Sequence, residues 1–192
     1  MIVYKGFHKN LTCTMGNGTY KYTPGELNVE ESSKCRSTGF HACEYPLGVF
    51  RWYSNIKESK YYKCEAGGSI DEVQNSTDLA CSELTLLEEL SLEQITYYAL
   101  MWIATHPKSP DWECLYSDVM ASVDNASTSR GIAIARGQEP HAKGEEFGAC
   151  LGFVEERDGE IQAVRMIKVD NEKYMPKIWY ACRGGEIVRC CK

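Results

Sequence analysis

Only one stretch of this chain, SLEQITYYALMWIATHP (residues 91–107), keeps helical periodicity over several turns. Leu92, Ile95, Ala99, Trp102 and Ile103 recur at helical spacing. Ser91 with Gln94 three residues on fits a capping box, and Pro107 ends the run. The other apolar runs are short and bounded by turn formers, as strands are. MIVYKGF reads as a strand ending at Gly6, and TYKYTPGELNV as a hairpin turning at Pro24-Gly25. GFHAC reads as a strand or turn, and PLGVFRWY as two turns of helix begun by Pro46. YYKCEAGGSI is a strand broken at Gly67-Gly68, and CSELTLLEEL one more. This mixture predicts an α+β fold, with a mixed or antiparallel sheet and one main helix.

HPKSPDWE (residues 106–113) has the composition of a boundary, which divides the chain into domains 1–107 and 108–192. Beyond it the texture changes. MASVDNASTSRGIAIARGQEPHAKGEE is poor in large side chains, and Ala135-x-Gly137 recurs as Ala142-x-Gly144. Such spacing suits a short β-solenoid-like segment, with a polar loop as the competing reading. A β-meander closes the chain, with hairpin turns at Asp158-Gly159 and Gly184-Gly185.

The 192 residues carry a net charge of −6, which argues against a nucleic-acid binder with a basic face. MIVYKGFHKN lacks the apolar core of a targeting segment. ITYYALMWIA is about half the length that spans a bilayer. A cytoplasmic protein is therefore expected, and its ten cysteines are expected as free thiols. No Cys-x-x-Cys occurs, and Asn10, Asn17, Asn75 and Asn125 form chance sequons.

Few residues point to chemistry. Phosphate-binding loops, a Gly-x-Ser-x-Gly elbow and His-Glu-x-x-His are absent. Glu88-Glu89, Glu145-Glu146 and Glu155-Glu156 are neighbours in sequence, so their side chains diverge. His106 and His141 read as surface residues, and the tyrosines and tryptophans from Tyr61 to Tyr116 as core with an interaction patch among them. The one dense cluster is Cys35, His41 and Cys43, with Cys13 as a fourth candidate. Its spacing departs from standard zinc sites, which favours packed thiols around a hydrogen-bonded histidine. No catalytic, cofactor-binding or metal-ligating residue is assigned, and no cofactor is expected.

The strings YKGFHKNLTC, GTYKY and CRSTGFHACEYPLGVFRWY resemble a domain family found mainly in bacteriophages and prophages. Tyr4 to Phe7 match its opening, and Cys35, Gly39, Phe40, His41, Cys43 and Pro46 its core. GIAIARGQEPHAKGEEFGACLGFVE is similar to the β-roll repeats of trimeric adhesin heads. The family brings no established activity.

The resemblance implies a phage- or prophage-encoded protein. With no catalytic constellation, the expectation is a non-enzymatic binding protein in the bacterial cytoplasm. Its partner would be a host protein, such as a CRISPR effector in an anti-defence role, without direct contact to nucleic acid or membrane. Its working surface is expected on the aromatic middle or the acidic exterior. One alternative is a divergent nucleotide-using enzyme. Lys5-Gly6, Gly39-Phe40-His41 and the following helix resemble the split sheet of ADP-ribosyltransferases, although His8 is placed beyond the first strand and no late Glu-x-Glu follows. That reading needs a concave site near His8, His41 or Glu65. The other alternative is an oligomeric structural protein, a trimer if the β-roll forms.

Overall fold

The structure, a computed structural model, describes residues 1–15 and 18–190, with Met15 described by its backbone alone. The Asn17 sequon and Cys191 lie outside the described residues. Strands hold 54% of the described residues and helices 11%, so the expected α+β class is corrected to mostly β. The physical reason is that the strands cover one another. They need only one α-helix as a lid, and PLGVFRWY forms a single 3-10 helix, Pro46–Arg51. The chain divides into two compact units, Met1–Ser91 and Leu92–Lys192.

The first unit contains β1 (Ile2–His8), β2 (Thr12–Met15), β3 (Gly18–Lys21), β4 (Leu27–Val29), β5 (Phe40–Cys43), β6 (Ser59–Glu72) and β7 (Asp78–Glu89). Its main sheet runs β4-β7-β5-β1-β6, and β6 also pairs with β7. The four strands β7, β5, β1 and β6 therefore close into a small barrel, which removes their free edges. Val3, Phe7, Phe40, Cys64, Leu79, Cys81 and Leu84 share one buried cluster. Gly67-Gly68 does not end β6, because the strand shifts register there and continues. Pro24-Gly25 does turn, with the Glu26 amide donating to the Thr23 carbonyl. The expected hairpin around it does not form, since β3 pairs back to β2 and β4 pairs with β7.

The second unit opens with α1 (Leu92–Thr105), followed by β8 (Cys114–Tyr116), β9 (Val119–Thr128), β10 (Ile132–Gly144), β11 (Cys150–Arg157), β12 (Glu160–Lys168), β13 (Trp179–Arg183) and β14 (Glu186–Arg189). The proline-bearing segment 106–113 lies inside this unit. β9, β10 and β11 run parallel in succession, with Ile132 in register with Val119 on one side and Cys150 on the other. Ala126, Ala133, Ala135, Ala142 and Ala149 occupy the core beside Leu151 and Phe153. The Ala-rich texture thus supplies small side chains where parallel rungs pack closely. β11–β12 and β13–β14 are antiparallel hairpins. Asp158 and Gly159 both have positive φ, 53° and 81°, as a tight primed hairpin turn requires. α1 buries Ile95, Ala99, Leu100 and Ile103. A Cβ on Gly152 would come within 3.0 Å of Leu100 Cδ2, so glycine there lets helix and sheet approach. Among the described residues no helix is long and apolar enough to cross a membrane.

Candidate functional site

The barrel of the first unit has one weak seam. β1 and β5 register only at Tyr4 with Cys43, although β1 continues to His8 and β5 begins at Phe40. The next carbonyl of β5 along the seam, that of His41, accepts a side chain instead: Lys5 Nζ donates to it at 2.5 Å. Tyr53 fills the outer side of the splay, where a Cβ on Gly6 would lie 2.6 Å from its ring. The glycine of the Tyr-Lys-Gly-Phe opening thus lets an aromatic ring lie on the backbone of β1.

A cavity of about 570 Å³ enters this splay. Lys5 and His8 line it from β1, and His41 and Cys43 from β5. Arg36 and Trp52 contribute from the segments before and after. Trp52 is 74% exposed, although the side chain is large and apolar.

Lys5 is the least expected of these groups. Val3, Lys5 and Phe7 alternate onto the interior face of β1, and Lys5 is only 6% exposed. Its Nζ lies 5.5 Å from the Phe7 ring centroid and 5.6 Å from that of Tyr22. Among the described residues no carboxylate forms an ion pair with it. Burial lowers its pKa, and the surrounding thiols of Cys13, Cys64, Cys81 and Cys43 pull the other way.

The Cys–His cluster lines the cavity without converging on one point. The His41 Nε2 accepts the Arg36 backbone N–H at 2.8 Å, which places the ring proton of the neutral form on Nδ1. That Nδ1 is buried without a hydrogen-bond partner. Burial, and then the charge of Lys5, lower the pKa of His41 and keep it neutral. The Cys35 thiol donates to the Asp71 carbonyl at 2.9 Å, and the Cys43 thiol to that of Tyr4 at 3.4 Å. Cys13 Sγ lies 3.3 Å from the Tyr22 hydroxyl. Burial pushes the Cys35 and Cys43 thiols up, away from the thiolate that a nucleophile or metal ligand requires. Among the described residues no group of three or more His, Cys, Asp or Glu side chains is placed to hold a metal ion.

His8 is the last residue of β1 rather than a residue beyond it. Its Nε2 lies 3.3 Å from Thr14 Oγ1, and its ring meets Tyr53 edge to face at 5.4 Å. Glu65 stays in the β6 ladder opposite Ile2 and Thr85. Asp78 on the cavity wall is already paired with Arg51 at 2.5 Å. The cavity therefore gathers cationic and donor groups, and its carboxylate is spent on a neighbour.

The profile of the family described as "Domain of unknown function (DUF7666)" matches residues 1–98. The chain belongs to this family. The DUF7666 match takes in β1 to β7 and the first residues of α1, and the whole cavity falls within it. No curated protein and no solved structure matches the chain. The working site was expected on the aromatic middle or the acidic exterior. The concave site described above is lined from residues 4–14, 35–53 and 73–79. From the sequence, Lys5, Trp52 and Tyr53 receive no binding role. The signal for Lys5 was present, as a lysine in phase with Val3 and Phe7 on one strand.

Proposed function

We propose that the DUF7666 unit binds a planar, anionic small molecule of nucleotide size in the seam between β1 and β5. One observation carries this reading: a cavity of about 570 Å³, the size that drug-sized ligands fill, is lined by Lys5, Arg36 and His8 together with an exposed Trp52. The cations and donors suit an anionic group. The indole is a stacking surface for a ring. The thiols are protonated and hydrogen-bonded, and Asp78 is paired, which favours binding over turnover. The reading keeps the non-enzymatic expectation and takes its ligand class from the nucleotide-using alternative. Tryptophan quenching with AMP, NAD and pyridoxine 5′-phosphate tests it. At least one should bind, and Trp52→Ala should weaken that ligand about tenfold, as loss of one stacking contact does. An unchanged affinity in Trp52→Ala, or no binding by any of the three, sinks the proposal.

A second reading, occlusion of a host defence factor by a phage-derived protein, is supported by Tyr97 and Met101, two exposed apolar side chains one turn apart on α1. It requires a defence complex to copurify with the wild-type chain and to be lost with Tyr97→Ala/Met101→Ala.

A further inference from the structure

Lys5 combines three properties that seldom meet in one lysine. It lies inside a closed barrel, it has no counter-charge among the described residues, and it borders a cavity. A buried ammonium with one carbonyl acceptor is a costly arrangement, since three donors need partners. Stability gives little reason for a lysine here, because methionine would fill the same volume without a buried charge and would lose only the bond to the His41 carbonyl. The His41 carbonyl that holds Nζ belongs to a residue lining the cavity, so the amine sits at the seam through which the cavity enters.

We propose that Lys5 is a covalent attachment point, and that its amine condenses with an aldehyde or ketone carried by the ligand of this cavity. This rests on the binding reading above and adds to it the reactive group of the ligand. Burial lowers the proton affinity of Lys5 and leaves more free amine than an exposed lysine has, which is the form that attacks a carbonyl. In the step, Nζ bonds to the carbonyl carbon. The carbonyl oxygen leaves as water, taking both hydrogens of the neutral amine, and the product is an imine. No oxidant or reductant takes part. The donors Arg36 and His8 would hold the anionic end of the ligand, and Trp52 its ring.

The probe is pyridoxal 5′-phosphate, a planar anionic aldehyde, supplied at less than one equivalent to the full chain with cyanoborohydride. The reductant delivers hydride to the imine carbon and fixes it as a secondary amine. Peptide mapping should place the adduct on Lys5, forming faster there than on any exposed lysine. Excess pyridoxine 5′-phosphate, the alcohol that cannot form an imine, should block the adduct. Lys5→Met should abolish it while leaving the melting transition cooperative. Should Lys5→Met fail to fold, the competition arm on the wild-type chain still decides. If pyridoxine phosphate binds but the label spreads over exposed lysines and spares Lys5, the covalent inference is wrong and the cavity reading stands. If neither compound engages the cavity, both fall.

Discussion

Both units bury charge, and they treat it in opposite ways. In the second unit the Glu155 carboxylate, only 5% exposed, accepts the N–H groups of Gly184 at 2.8 Å and Gly185 at 2.7 Å, with the Cys182 thiol at 3.6 Å. Arg136 donates to Glu156 at 2.5 Å and to the Pro107 carbonyl at 2.7 Å, with its guanidinium over the Trp112 ring. Each of these charges fastens one strand to another segment. Lys5 in the first unit has one carbonyl and a ring of thiols. A satisfied buried charge is part of the scaffold, and an unsatisfied one beside a cavity points to use.

The contrast predicts stability changes of opposite sign. Glu155→Ala should cost about 3 kcal/mol in urea unfolding, because two buried N–H groups of the β13–β14 turn lose their acceptor. A neutral result would show that the carboxylate is no fastener and would end the comparison. Lys5→Met should stabilise the chain by about 1–2 kcal/mol while removing any covalent adduct. Destabilisation by that variant would make Lys5 a structural residue like the other two.

The advantage of Lys5→Met should also depend on pH. The native chain holds the Lys5 proton less tightly than the unfolded chain, whose lysine keeps its ordinary value of 10.5. Below the folded value both states are charged, and the native state bears the whole cost of burial. Between the folded value and 10.5 the unfolded state binds more protons, so wild-type stability rises with pH relative to the variant. Melting curves from pH 7 to pH 10 should show the gap closing, and a gap that widens contradicts the assignment. The smallest effect is expected outside either buried set. Lys9 and Glu58, both well exposed and 3.2 Å apart, should change stability by less than about 0.5 kcal/mol when Lys9 becomes Ala.

Local chemistry was legible in the sequence, and partner choice was not. α1 followed from its apolar period, and the turn at Asp158-Gly159 from two residues that accept positive φ. The turn at Pro24-Gly25 was equally visible, yet the strands beside it pair elsewhere, with β2 and with β7. No pattern within residues 19–29 encodes that choice, because it depends on chain some sixty residues away. Barrel closure was hidden for the same reason, and a glycine pair in β6 looks like an end until its partner strand is known. At the site, the closeness of Cys35, His41 and Cys43 was plain, but their thiol and imidazole partners, Asp71, Tyr4 and Arg36, were not. Lys5 escaped because lysine is exposed by default. Only the buried phase of β1 argues otherwise.

The order of strands in the chain has a consequence for synthesis. β7 is the last barrel strand to be made, and it pairs with β4, β5 and β6. Until residue 89 has cleared the ribosome, no closed barrel exists, and the nascent chain presents open edges on β5 and β6 to chaperones and proteases. Lys5 and the Cys64 thiol wait in an open sheet through that interval, and one late strand, which brings Cys81 with it, shuts them in.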